Sequence, residues 1–262
     1  MVSHCVTLHG VVDQDDYRHA PCDHLDSALM RSTEALLEIL KSSHIMTLPE
    51  NRIYLASRSP RRRELLKQIG VNFATLLLRE ALPRSVDVDE ATLPDEAPAD
   101  YACRIARAKA GTGWMQIIQR KLPQLPVLAA DTIVVLNGHI FGKPENSVHA
   151  QEMLTALSGK THQVLTAVAV AAENGTQVSI STSTVRFRDL SEREIRMYLA
   201  RDETYDKAGG YAIQGIAAVF ITEITGSYSG VMGLPLFETA RLLNESGIEI
   251  FPEPTIGHSK SL

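Results

Sequence analysis

Residues 53–66 read Ile53-Tyr54-Leu55-Ala56-Ser57-Arg58-Ser59-Pro60-Arg61-Arg62-Arg63-Glu64-Leu65-Leu66, and the architecture follows from how this stretch changes character. Ile53 to Ala56 make a short apolar strand. Pro60 then suits the first helical position, because its missing N–H is one that a helix start leaves unpaired anyway. Glu64 to Lys67 continue the helix and Gly70 ends it. Val71 to Leu78 follow as a second strand, so a strand–helix–strand unit opens the pattern.

The turn inside this unit is a candidate anion site. Unpaired N–H groups at a helix start attract negative charge, and the helix dipole reinforces them. The hydroxyls of Ser57 and Ser59 and the guanidinium groups of Arg58, Arg61, Arg62 and Arg63 crowd the same turn, and guanidinium forks match phosphate oxygens. The plain alternative is a solvated basic first turn. Basic charge there opposes the dipole, however, so three consecutive arginines need a reason beyond helix stability.

Working outward, an acidic, proline-bearing loop runs from Pro83 to Pro98, followed by a helix from Ala99 to about Ala110 with Ala102, Ile105, Ala106 and Trp114 on its apolar face. Val127 to Leu136 is an apolar strand ending at Asn137-Gly138, a hairpin-turn signal. Ser147 opens a helix to Leu157, closed by Gly159. Gln163–Ala172 and Gln177–Phe187 flank a second Asn-Gly pair, Asn174-Gly175, and are expected to form a hairpin. Ser191 and Glu194 have capping-box spacing for a helix through Leu199. Ile216 to Ile221 reads as a strand and Leu236 to Leu243 as a last helix. Alternating strands and helices predict an α/β fold.

Asp131 stands in Val127–Leu136 among apolar residues and Thr132. A buried carboxylate without partners costs several kcal/mol or shifts its pKa, so it should meet a cation, a metal or hydrogen-bond donors. A structural aspartate satisfied by backbone N–H groups is the bland alternative. Glu90, in Asp87-Val88-Asp89-Glu90, could supply a second carboxylate, although acidic loops are usually only solvated. Lys109, Lys143 and Lys207 recur beside turn residues; singly each reads as a surface lysine, and together with the arginines they could neutralise a polyphosphate. Ser158-Gly159-Lys160-Thr161 imitates the end of a P-loop, but the first glycine would have to be residue 154, which is Leu154, and a helix precedes it. That motif is a decoy.

The 262 residues are 44% hydrophobic and 22% charged, within the globular range. No apolar run approaches the roughly eighteen residues of a membrane helix, so a soluble protein without a membrane partner is expected. The net charge of −5 argues against a chain that coats nucleic acid. Cys5, Cys22 and Cys103 are scattered and odd in number, which disfavours a disulfide framework and favours the cytoplasm. Residues 1–45 carry −4 of that charge and five of the nine histidines. They show no basic leader or apolar core of a signal peptide. The spacing of Cys5, His9, His19, Cys22 and His24 matches no standard zinc finger, and a helix is expected from Asp26 along Leu29, Leu36, Leu37 and Leu40. The expected organisation is a non-catalytic acidic extension at 1–45, a catalytic domain at 46–250 and a tail at 251–262.

Seven ordered strings carry a resemblance. Leu55 to Leu66, Ala106-Arg-Ala-Lys-Ala110, Ala130-Asp-Thr132, Gly142-Lys-Pro144, Leu157-Ser-Gly-Lys-Thr-His162, Asp206-Lys-Ala-Gly-Gly-Tyr-Ala-Ile-Gln-Gly215 and Gly226-Ser-Tyr-Ser-Gly-Val-Met-Gly-Leu-Pro235 together resemble the Maf family of nucleotide pyrophosphatases. The resemblance implies a Maf-type, ITPase-like α/β fold, with a mixed sheet flanked by helices around a deep nucleotide cleft, commonly in a homodimer. It implies hydrolysis of a nucleoside triphosphate between its α and β phosphates, with a divalent cation, Mg²⁺ or Mn²⁺. On that reading Asp131 matches the general base, and Glu90 and Asp131 the metal-linked acids. Ser57, Arg61, Lys109, Lys143 and Lys207 match phosphate-cleft positions. Arg62, Thr132 and Gln214 resemble the branch acting on dTTP and UTP, and a side-chain amide such as Gln214 offers the donor and acceptor that suit a thymine or uracil edge. The branch that takes 7-methyl-GTP is less similar, with Trp and Glu at the Arg62 and Gln214 positions. Arg58 and Gly230 depart from the usual pattern. A nucleotide-binding regulator of cell division is the rival reading from another class.

Overall fold

The computed structural model describes residues 52–78, 87–201 and 205–251. The expected acidic extension, its helix from Asp26 and the tail from residue 252 onward lie outside the described residues, as does part of the loop after Leu78. Everything described belongs to one compact unit, residues 48–254.

The opening unit forms as the sequence predicts. Strand β1 (Arg52–Leu55) runs into α1 (Pro60–Gln68), where Ser59 caps the helix by accepting from the Arg62 N–H and Pro60 takes the first turn. Leu65 and Leu66 of α1 are buried, each contributing on the order of 2 kcal/mol. Strand β2 is shorter than the expected Val71–Leu78: it covers Asn72–Thr75, parallel to β1.

Helix α2 (Pro98–Gln119) runs nine residues beyond the expected end at Ala110. Gly111 and Gly113 lie in the added stretch, where they weaken helix propensity. Tertiary packing overrides it: a Cβ on Gly113 would lie 2.8 Å from Val127 Cγ1, so the glycine is where the helix closes onto the sheet.

Strand β3 (Val127–Leu136) turns through Asn137-Gly138 into β4 (His139–Phe141). Helix α3 (Ser147–Leu157) has the expected bounds and is capped by Asn146 through a 2.9 Å bond from the His149 N–H. Strands β5 (Thr161–Ala172) and β6 (Gly175–Phe187) form the expected hairpin, and Ser191 and Glu194 form the expected capping box on α4 (Glu192–Leu199). Ile216–Phe220 is a 3₁₀ turn rather than a strand, and the strand β7 follows at Ile221–Thr225. The period of three places Ala217 and Phe220 on one side, and both are buried. Two helices, α5 (Tyr228–Met232) and α6 (Leu236–Glu245), complete the described chain.

These strands form one mixed seven-stranded sheet in the order β2-β1-β3-β5-β6-β7, with β4 added to β3. Side chains alternate along β3, and the two faces pack differently. Val127, Ala129, Ile133 and Val135 meet α2. Leu128 and Ala130 meet α1 and α6, and Val134 and Leu136 meet α3 and α4. Asp131 therefore projects toward α2 and Thr132 toward the opposite face.

The register also opens the cleft. Strand β1 pairs with β3 at Val127 and Leu128, while β4 joins the same edge from Val134 to Leu136. Between these contacts Ala129–Ile133 pairs with β5 on its other side alone, among the described residues. Where β1 leaves β3, the sheet parts and a crevice forms.

Candidate active site

The crevice is a cleft of about 810 Å³. Ser57, Arg61, Arg62, Glu90, Lys109, Asp131, Thr132, Lys143, Lys207 and Gln214 all line it. The structure thus brings these ten candidates into one place, while Arg63 of the arginine turn is not among the lining residues.

Its centre is Asp131, 8% exposed. Lys109 Nζ, from α2, donates to Asp131 Oδ1 at 2.8 Å and lies 2.9 Å from Glu90 Oε1. The counterion required by the buried carboxylate is therefore a lysine of the chain itself. Burial works against the Lys109 charge, but Asp131 and Glu90 more than offset it, so its pKa lies above the usual lysine value. Lys109 stays an ammonium at neutral pH.

Glu90 is held by its backbone. The Tyr101 hydroxyl donates to the Glu90 carbonyl at 2.9 Å, and one turn onward Arg104 donates to the Ala91 carbonyl and forms a two-pronged pair with Glu96. Positions 101 and 104 lie one turn apart on α2, and the same helix that grips the acidic loop also supplies Lys109. Burial, then the charges of Asp131 and Glu90, push the Tyr101 phenol up to about 12. Tyr101 therefore remains a donor throughout the physiological range.

On the other face, Arg62 is a strut. Its Nε donates to the Gly233 carbonyl at 2.8 Å, Nη1 to Ser57 Oγ at 3.1 Å and Nη2 to Thr132 Oγ1 at 3.2 Å. Thr166 Oγ1 donates to the Gly230 carbonyl at 2.8 Å and lies 3.1 Å from Thr132 Oγ1. The arginine turn does not act as a single block: Arg58, Arg61 and Arg62 line the cleft, and Arg58 donates to the Leu78 carbonyl at 3.2 Å.

The far wall is the segment from Asp206 to Gln214. Lys207 pairs with Asp206. Burial pushes the Asp206 carboxyl up, but Lys207 and then Arg61 outweigh it and hold it below the usual aspartate value. Lys143 is exposed after β4, in the Gly142–Pro144 turn that adjoins this wall.

With this geometry in place, the sequence profile of the family described as Maf-like protein matches residues 52–246. The chain belongs to the Maf family. A dTTP/UTP pyrophosphatase of Nitrosospira multiformis is 68% identical over 79% of this chain and 100% of its own length. The enzyme of that name from Nitrosomonas europaea is 60% identical over 79% and 100%, and that from Dechloromonas aromatica 49% over 75% and 98%. The solved Ham1 protein of Staphylococcus aureus is similar at 17% identity and a TM-score of 0.37, over 53% of this chain and 72% of that one.

In this Maf chain, sequence reasoning missed Tyr101, Asp206 and Tyr211, all of which line the cleft. Asp206 and Tyr211 sit in a quoted motif, so their signal was present without a role. Tyr101 carried no local signal, because its partner Glu90 belongs to a different element. Among the described residues no group of three or more His, Cys, Asp or Glu could hold a metal on protein ligands alone. The pair Glu90 and Asp131 supplies hard oxygen donors, and one or two carboxylates are what Mg²⁺ takes beside substrate phosphates and water. The donor set fits such an ion.

Proposed function

We propose that this chain hydrolyses dTTP and UTP to the monophosphate and pyrophosphate, and thereby clears such nucleotides, including modified pyrimidine ones, from the pool. The observation that carries the reading is the buried Asp131, ion-paired to Lys109 and converging with Glu90 in a cleft walled by cations from separate segments. The Maf relatives named dTTP/UTP pyrophosphatase support the choice of substrate.

In this reading Asp131 orients a water toward the α-phosphorus and takes its proton. The new bond joins the water oxygen to that phosphorus, and the bond to the bridging oxygen of the β-phosphate breaks, so pyrophosphate departs. Lys109 neutralises charge beside the attacked group, while Arg61, Lys143 and Lys207 offset the charge of the leaving phosphates. Ser57, held by Arg62, donates to a phosphate oxygen. Gln214 reads the base edge with its amide, and Arg62 and Thr132 shape the base-specific side of the cleft. Glu90 and Asp131 would hold Mg²⁺ or Mn²⁺, which when bound screens the phosphates and lowers the pKa of a coordinated water.

We place the enzyme in the cytoplasm as a homodimer without nucleic-acid or membrane partners. The acidic net charge of −5 supports the lack of a nucleic-acid partner, and no helix among the described residues is long and apolar enough to cross a membrane. Light scattering after gel filtration tests the dimer.

The deciding experiment is pyrophosphate release with Mg²⁺ from dTTP, UTP, CTP, dATP, GTP and 7-methyl-GTP, beside Asp131→Asn. Release from dTTP and UTP that disappears in the variant supports substrate and base together. Release from 7-methyl-GTP alone would replace the substrate. No release at all would favour the nucleotide-binding regulator.

A further inference from the structure

His162 and Tyr211 belong to two of the motif strings, and the reaction as described gives neither a task. They meet across the molecule. His162 lies on β5, 2% exposed, and its Nε2 shares a 2.8 Å hydrogen bond with the Tyr211 hydroxyl. The His162 Nδ1 is buried without a hydrogen-bond partner. Phe187 packs edge-on against both rings, with centroids 5.0 Å from His162 and 4.9 Å from Tyr211.

A phenylalanine at position 162 would fill this apolar site at less cost, since a buried imidazole loses its hydration and here leaves one nitrogen unsatisfied. Burial also pushes the His162 pKa down to about 4, so the ring is neutral. What the imidazole provides is the polar partner of Tyr211. That matters because of where Tyr211 sits: four residues after Lys207 and three before Gln214, lining the cleft while its ring packs on His162 and Phe187 in the core.

A second anchor lies two residues earlier. The Gly209 N–H donates to the Gly142 carbonyl at 3.0 Å. At φ +69 its backbone sits so close to β3 that a Cβ would be 2.9 Å from Val134 Cγ2. The segment from Lys207 to Gln214 is therefore tied to β3 and β4 at Gly209 and to β5 at Tyr211.

We infer that His162 is a positioning residue: through the Tyr211 hydroxyl it fixes the span between Lys207 and Gln214, matching the phosphate-binding and base-reading ends of the cleft to one pyrimidine nucleotide. This rests on the proposed hydrolysis of dTTP and UTP for the meaning of the two ends. Neither side chain touches the reacting atoms. Their effect is on how well a nucleotide spans the cleft, which binding constants register more than turnover.

The test compares wild type, Tyr211→Phe, His162→Phe and the double variant on dTTP and UTP with Mg²⁺, alongside thermal unfolding. Each single variant is expected to raise KM about tenfold while kcat stays within about threefold. The double variant should be no worse than the worse single, because both act through one bond. Should His162→Phe fail to fold, Tyr211→Phe decides alone, since it removes one oxygen and keeps the ring packing. A lowered Tm with KM within about twofold of wild type, or losses that add in the double variant, would overturn the positioning role. If wild type turned over neither dTTP nor UTP, the functional reading would fail separately. Equilibrium binding of metal-free dTTP would then judge His162: about tenfold weaker binding in Tyr211→Phe supports it, and unchanged affinity overturns it.

Discussion

Lys109 places its ammonium 2.8 Å from the Asp131 carboxylate, so the acid in the central strand carries its counterion on the neighbouring helix. Losing Lys109 leaves the buried carboxylate uncompensated, whereas losing Asp131 leaves the ammonium with Glu90 alone. Asp131→Asn removes the proposed proton acceptor, and kcat should fall about 10²- to 10⁴-fold, measured as pyrophosphate release, with the circular dichroism spectrum retained.

Lys109→Met should cost roughly 3 kcal/mol in urea unfolding at pH 7, because Asp131 is then left without its cation. The pH dependence has a definite sign. Lys109 has a folded pKa raised above the ordinary 10.5, so its contribution is complete below 10.5 and is lost as pH rises through the higher folded value. The stability difference between wild type and Lys109→Met from this source should therefore be constant between pH 7 and 9. A difference that shrank over that range would contradict the assignment.

Arg62 supports the cleft as well as lining it. Arg62→Ala takes donors from the Gly233 carbonyl, Ser57 and Thr132, and should lower stability by about 2 kcal/mol. Gln214 is exposed, so Gln214→Glu should leave the unfolding midpoint unchanged while reducing the preference for dTTP and UTP in the nucleotide panel. A retained preference would remove Gln214 from base reading.

Tyr101→Phe frees the Glu90 carbonyl while keeping the ring. On the proposed role of Glu90 in holding Mg²⁺, the concentration giving half-maximal rate should rise about tenfold, as is common when a metal ligand loses its support, with kcat at saturating Mg²⁺ little changed. An unaltered Mg²⁺ titration would separate Tyr101 from the acidic loop's role.

Acid should destabilise the fold in two steps. His162 has a folded pKa of about 4 against an ordinary 6.5, so its neutral form supports folding above 6.5 and that support is lost as pH falls toward 4. Glu194, held down to about 2 mainly by Arg188 and then by the Ser191 cap, gives support that is present above 4.5 and lost as pH falls toward 2. Thermal unfolding against pH should show the upper step vanish in His162→Phe and the lower one weaken in Glu194→Gln.

Much of this was legible locally. Strand β3, the Asn-Gly hairpins and the Ser191–Glu194 box depend on neighbours within a few residues, and each formed as the pattern predicts. Asp131 was legible because a charge in an apolar strand must find a partner. Its partner was visible only as one of three undistinguished lysines. The extra length of α2 was hidden because Gly113 answers to Val127 rather than to its own helix. Tyr101 with Glu90, and His162 with Tyr211, are contacts between elements, and no spacing rule within one element announces them.

The bond from Arg62 to the Gly233 carbonyl joins residues 171 positions apart. During synthesis the phosphate turn leaves the ribosome long before the peptide that completes its support exists. A growing chain can form its first strands and helices, yet Arg62 meets its Gly233 acceptor only once α5 has emerged. A protein cut or stalled ahead of Gly233 would hold the arginine turn without this strut, and the Arg62 Nε–H would turn to water or another acceptor.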